Sequence, residues 1–190
     1  MADPARRKAT WADLLATPEG DGNVYEIIGG EIQASPRPRS VHARATRVFS
    51  RFIGGHFDDE TEGPDGWWIL PEVDVLLAEH ECFVPDIAGL RRARVPEFPD
   101  EQPIRAVPDW TCEVLSRRTW RVDRQHKADV YLAAGVPFYW IVDLDQRLVE
   151  AFEARGGFWV RLGAWSDDAP ARIPPFDEIE IDLKKAFPPT

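Results

Sequence analysis

The chain has no apolar run approaching the roughly 20 residues that a membrane-spanning helix needs, so a helical membrane span is not expected. The first eight residues, Met-Ala-Asp-Pro-Ala-Arg-Arg-Lys, are basic but precede no apolar stretch, so a secretory signal is not expected either. Cysteine is scarce. Cys82 and Cys112 are the only two, too few for a disulfide framework or for a structural zinc site of their own. They are expected as small buried packing residues in a reducing cytoplasm. Internal repeats and low-complexity segments are absent, which excludes a repeat array. Net positive charge is absent too. The formal charge is −10, which by itself argues against nucleic-acid binding, because phosphate contacts need local positive charge.

What is present points to one domain, residues 1–190, large enough to bury one substantial core. Hydrophobic residues make up 44% of the chain, and eight Trp and ten Phe belong mostly in or near that core. Positive charge is concentrated in two stretches. Ser35 to Phe57 holds Arg37, Arg39, Arg44, Arg47 and Arg51 with no acidic residue. Leu115 to Ala128 holds Arg117, Arg118, Arg121, Arg124 and Lys127 against Asp123 alone. Such stretches suit a partner met by one face of the molecule, or are simply two solvated helix faces.

Thr10 is a good N-cap for a short helix to about Thr17, with Asp13 at its third position. Val24–Ile28 and Glu31–Ala34 read as a hairpin turning at Gly29-Gly30. Two prolines break the pattern over Ser35–Arg39, and Ser40 is expected to cap a helix reaching Phe57, with Val41, Ala45, Val48, Phe49, Phe52 and Ile53 on one face. Trp67–Ala78 reads as long and β-rich, with Pro71 marking an edge, a bulge or a break within it, and Cys82–Leu90 runs back as a second strand. Arg91–Pro108 is a proline-rich loop, and Asp109–Leu115 is a strand. A helix from Thr119 or Trp120 reaches Ala134, where Gly135 stops it. Phe138–Asp143 suits a central buried strand. Leu148–Ala154 and Phe158–Trp165 form a second hairpin, and Ile179–Ile181 a short terminal strand. The core from about residue 40 to 143 thus runs helix, three strands, helix, strand, and a mixed sheet with helices packed on it is the expected solution.

Three residues stand out: Asp86, Glu113 and Lys127. Val84-Pro85-Asp86 and Thr111-Cys112-Glu113 each place a carboxylate in an apolar strand, and a buried carboxylate needs a cation, a metal or donors beside it. Two carboxylates from neighbouring strands can share a hard cation such as Mg2+, with the Val114 carbonyl as a further ligand. The competing account pairs them with arginines between Arg117 and Arg124. Asp123, Lys127 and Tyr131 recur every four residues and share a helix face. Glu72 and Asp74 share one face of the long predicted strand, where either is an extra acidic ligand or support for one, or simply an edge-strand charge. Trp67, Trp68, Trp120, Tyr139 and Trp140 are either base-stacking platforms or core. His42 and His126 read as packing or surface.

The run Glu113-Val114-Leu115-Ser116, Thr119, Asp123-Arg124, Lys127, Tyr131, Gly135-Val136 and Tyr139-Trp140-Ile141-Val142-Asp143 resembles the signature of the Uma-two family of the restriction-endonuclease-like PD-(D/E)XK superfamily. Tyr25 to Glu31, Ser35-Pro36, His42 and Val84-Pro85-Asp86 match its pattern in order, and the resemblance spans about Thr10 to Trp159. It implies an α/β (α+β) fold: a restriction-endonuclease-like core, a central mixed sheet flanked by helices, with an N-terminal hairpin and a C-terminal hairpin extension. It also implies a Mg2+- or Mn2+-dependent endonuclease hydrolysing phosphodiester bonds.

In that reading Asp86 and Glu113 are the metal-binding acids. The usual lysine position is Leu115, and Lys127 takes its role from the next helix. Arg117-Arg118 is a second departure from the family pattern. Glu31, Glu72 and Asp123 are candidates for support around the acids, and Arg44, Arg47, Arg51, Arg121 and Arg124 for binding nucleic acid, DNA first among the substrates. A homodimer is open, because two-strand cleavage in this superfamily often uses one. The alternative function is a non-catalytic nucleic-acid- or protein-binding module on the same fold.

Overall fold

The structure, a computed structural model, describes residues 7–116 and 118–187. Arg117 of the second basic stretch lies outside them. The chain forms two sheets with helices against them, the expected mixed architecture. The larger has six strands in the order β10-β9-β8-β7-β6-β3. They are β3 (Trp67–Pro71), β6 (Ile87–Arg91), β7 (Trp110–Val114), β8 (Phe138–Asp143), β9 (Leu148–Arg155) and β10 (Phe158–Ser166). Only β7 and β8 run parallel among its neighbours. The smaller sheet has the order β2-β1-β5-β4, from β1 (Asn23–Ile28), β2 (Glu31–Pro36), β4 (Val75–Ala78) and β5 (Glu81–Phe83).

Helix α1 (Trp11–Leu14) opens with the expected capping box, in which Asp13 accepts from the Thr10 amide at 2.8 Å. Helix α2 (Ser40–Gly54) runs on through a wider π turn, Gly55–Asp59. Its N-cap is Arg39 rather than Ser40, since the Arg39 carbonyl already accepts from the Ala43 amide. Helix α3, residues 120–134, contains a π segment at Asp123–Lys127 and ends on Gly135 at φ +90, a left-handed C-cap that favours glycine.

Period-two alternation divides β7 and β8 between two cores. Trp110, Cys112, Val114, Trp140 and Val142 face Ala45, Val48, Phe49 and Ile53 of α2 together with the C-terminal segment around Phe176 and Phe187. Leu115, Tyr139 and Ile141 face Ala128 and Tyr131 of α3, with Phe83. The central position expected for Phe138–Asp143 follows: β8 lies between β7 and β9.

Two β stretches read from the sequence are each two strands in different sheets. Trp67–Ala78 ends its first strand at Pro71, one of the outcomes expected there, and turns at Glu72, whose φ is +51, while Cys82–Leu90 breaks at Val84-Pro85-Asp86. The hairpin therefore crosses from one sheet to the other, and the period-two argument relating Glu72 to Asp74 does not hold. Ile181 makes one isolated bridge to Ala171 instead of a strand. Both cysteines are buried thiols. Among the described residues no helix is long and apolar enough to cross a membrane.

Candidate active site

Asp86 and Glu113 are set by strand register. Ile87 pairs with Cys112 across β6 and β7, so one step further Asp86 falls opposite Glu113. Glu113 stands between Cys112 and Val114, which point to the α2 core, and is turned toward α3. Asp86 lies at the entry to β6. Its Oδ2 accepts from the Val114 amide at 2.7 Å, and its Oδ1 lies 3.3 Å from His42 Nε2, on the first turn of α2.

Lys127 reaches back from α3 to the same place. Its Nζ lies 2.9 Å from Glu26 Oε1, 3.2 Å from Glu113 Oε1 and 3.7 Å from Asp123 Oδ1. Tyr131, one turn on, donates its hydroxyl to Glu113 Oε1 at 2.6 Å. Both donors use Oε1; Glu113 Oε2 has no donor among the described residues. The π segment places Asp123 and Lys127 on this inner face, and such segments frequently occur at functional sites. Among the described residues no arginine partners Asp86 or Glu113: His42, a backbone amide, a lysine and a tyrosine take that place.

Sequence reasoning misses two site residues: His42, read as packing or surface but held against Asp86, and Glu26. Glu26 lies on β1, and its Oε1 accepts from the Val84 amide at 2.8 Å as well as meeting Lys127. In the sequence it is one polar residue of a hairpin beside Ile27. Its only signal is its place in the Tyr25–Glu31 match, where Glu31 is the candidate acid. Glu31 is exposed on β2 and is not among the residues lining this site.

The charges here compete strongly. Burial pushes the Glu113 carboxyl well above its ordinary range, more than Lys127 pulls it down. Burial likewise pushes Asp123 up to about 6, opposed by Lys127 and Thr119. Burial lowers Lys127, but the charges of Glu113, Glu26 and Asp123 outweigh it and hold the ammonium well above its usual value. Burial lowers His42, and its bond to Asp86 with that residue's charge more than offsets it, so the net direction is up.

These groups line a cleft of about 550 Å³. Asp86, Glu113, Lys127 and Asp123 all face it, together with Glu72, held left-handed at the end of β3. Asp74 does not line it and instead accepts from Gln102 at 2.9 Å. Among the described residues the arginines on its wall are Arg37, Arg39 and Arg118. Arg44, Arg47 and Arg51 line a different depression beside His56 and Lys185, because the spacing of i, i+3 and i+7 puts them on the outer face of α2. Arg124 is held by Glu150 at 2.7 Å and lies 3.7 Å from Asp143. Arg121 stacks over Trp120 at 5.1 Å. His126 pairs with Glu81 at 3.1 Å, outside the cleft lining.

A divalent metal is implied by the resemblance, and the donor set suits a hard one. Among the described residues the cleft wall carries more carboxylates than cationic side chains, an excess of anionic oxygen that a hard cation would meet. Among the described residues no three His, Cys, Asp or Glu side chains are gathered as a ready metal cage. A cation here would take Asp86, Glu113 and the Val114 carbonyl, with waters completing the shell, the habit of Mg2+.

The sequence profile of a family named Uma2, described as "Putative restriction endonuclease", matches residues 11–184. No curated protein matches the chain. A crystal structure described as "a putative nuclease belonging to DUF820", from Anabaena variabilis, is similar in fold. It is 22% identical with a TM-score of 0.74, over 94% of this chain and 97% of that one. At that identity the likeness concerns the fold.

Proposed function

The chain belongs to the Uma2 family, and from that premise we propose that it is a metal-dependent endonuclease acting on nucleic-acid phosphodiesters. The observation that carries this reading is the convergence of Asp86 from the start of β6, Glu113 from β7 and Lys127 from α3 on one cleft. Asp86 and Glu113 would hold Mg2+ or Mn2+. A bound cation of this kind supplies a polarised phosphate and a water of lowered pKa.

The chain's own groups do the rest. His42 holds Asp86 at Oδ1 and the Val114 amide holds Oδ2, which fixes the carboxylate plane. Tyr131 fixes Glu113 through Oε1 and leaves Oε2 for the cation. Lys127 presents its charge beside Glu113, where it stabilises negative charge developing on the phosphate. Glu26 and Asp123 hold Lys127 in place and keep it charged. Arg37, Arg39 and Arg118 are placed to meet flanking phosphates. The test is incubation of the purified protein with DNA and RNA, in Mg2+ or Mn2+ and in a chelator. Cleavage that needs the metal is expected, and its absence on all substrates ends the enzyme reading.

One observation favours the second reading, a non-catalytic binding module. Lys127 is nine-tenths buried and already has three carboxylate neighbours, so a purely structural ion cluster would look the same. Binding without metal-dependent cleavage is the outcome that selects it.

A further inference from the structure

We propose that this cleft takes its nucleic acid as a single strand, a frayed end or an unpaired segment, with Trp120 as the stacking platform beside the acids. The proposal rests on the nuclease reading for its location. Its own evidence is the depth of the site, one exposed tryptophan and three uncommitted arginines.

Depth comes first. The side chains of Glu113, Lys127 and Asp86 are 4%, 5% and 13% exposed. A cleft of about 550 Å³ is the size that encloses a small ligand. A duplex carries its phosphates on the rim of a body whose major groove alone is roughly 12 Å wide, and it cannot bend one phosphate inward without distorting. A single strand turns freely, and its bases are already unpaired, so the cost of extruding a nucleotide is smallest there.

The aromatic residues separate cleanly. Trp67, Trp140 and Tyr139 are core, at 2%, 0% and 1% exposed. Trp68 is tied through its indole N–H to the Val95 carbonyl and stacked by Arg92. Trp120 is 43% exposed and lines the cleft, at the first position of α3, with Arg121 over one face of its ring. Just before Trp120, Ser116 Oγ accepts from the Thr119 amide at 3.1 Å, which braces the start of the helix that carries the indole. Exposed aromatics at the wall of a charged groove are what single-strand binders use, because every base has a face to stack.

The arginines complete the arrangement. Arg37 and Arg39 come from the β2–α2 connection, and Arg118 from the β7–α3 connection next to Trp120. Their guanidinium groups have no hydrogen-bond or ion-pair partner among the described residues. Three such charges can meet the phosphates of a short strand. Against a chain of net charge −10, a single strand with its lower charge density meets less repulsion than a duplex with one charge per roughly 1.7 Å.

The experiment measures anisotropy of a labelled twelve-nucleotide oligomer, as DNA and as RNA, alone and annealed to its complement, with cleavage followed in Mg2+. Tighter binding of the single strand by tenfold or more is expected, and the tighter of the two sugars identifies the natural source. Trp120→Ala should weaken single-strand binding about tenfold with an unchanged melting temperature, and Trp120→Phe should recover most of it. Arg118→Ala should weaken it too and flatten its salt dependence. Equal or tighter duplex binding, or full binding by Trp120→Ala, overturns the proposal. Single-strand binding that depends on Trp120 but yields no cleavage upholds this proposal and sinks the nuclease reading; efficient duplex cleavage does the reverse.

Discussion

Lys127 Nζ lies closer to Glu26, at 2.9 Å, than to Glu113, at 3.2 Å. The ammonium that the proposed chemistry needs is therefore anchored by the N-terminal hairpin. Glu26 joins three elements, since it also accepts from the Val84 amide just before Asp86. The smaller sheet is thus part of the site.

Glu26 should tolerate loss of charge better than loss of its acceptor. Glu26→Gln keeps an oxygen for the Val84 amide and leaves Lys127 two carboxylates, so a loss of about 1 kcal/mol is expected. Glu26→Ala strands a buried amide and loosens the lysine, costing about 2–4 kcal/mol. Urea titrations of both variants measure this. Equal stability of the two would remove Glu26 from the account.

Lys127→Met separates this site from a surface ion pair. On an exposed helix face the change would cost a few tenths of a kcal/mol. Here it leaves Glu26, Glu113 and Asp123 gathered without their cation, and a loss of about 3–5 kcal/mol at pH 7 is expected. The penalty should shrink at pH 5, where the raised carboxyls take up protons. A small, pH-independent loss would make Lys127 a bystander.

The carboxyl of Asp123, pushed up to about 6 from an ordinary 3.8, sets a pH window. A folded-state value above the unfolded one means that the folded protein holds the proton more tightly. The stability gained is complete below about pH 4 and is lost as pH rises through about 6, by no more than roughly 3 kcal/mol. Glu113 shifts in the same direction. Metal-free stability should therefore fall between pH 4 and 6 relative to Asp123→Asn, and saturating Mg2+ should flatten the difference. Parallel curves for the two proteins in chelator would contradict the assignment.

The two arginine sets make opposite demands on binding. Replacing Arg37, Arg39 and Arg118 by alanine should weaken nucleic-acid binding and lower the salt slope by about one for each phosphate that is no longer neutralised. Replacing Arg44, Arg47 and Arg51, which line the other depression, should leave the cleft-bound strand far less affected. A larger effect from the second set would move the interface onto the outer face of α2.

Much of this is legible in the sequence because it depends on local pattern. The apolar face of α2, the Gly135 stop and the continuous apolar run of β8 each specify their element. Asp86 and Glu113 stand out as carboxylates among apolar neighbours, and the four-residue row of Asp123, Lys127 and Tyr131 puts the lysine on the right helix face. What depends on tertiary placement is hidden. Pro71 signals an edge, a bulge or a break, but nothing in Pro71-Glu72-Val73 demands a left-handed residue or a change of sheet. Glu26 and His42 reach Lys127 and Asp86 from distant segments, and no spacing rule links them. Composition groups arginines 44, 47 and 51 with Arg37 and Arg39, but helix geometry turns the first three away.

The most direct test of the central claim is Glu113→Gln, a change that keeps the side chain's size and its acceptor for Tyr131. The folded variant and its parent are compared for the rise in melting temperature on adding Mg2+ or Mn2+ and for cleavage of nucleic acid. If Asp86 and Glu113 hold the catalytic cation, the parent is stabilised by metal and cleaves, and the variant loses both, with cleavage down a hundredfold or more. A variant that is stabilised by metal and cleaves like its parent would place the chemistry elsewhere.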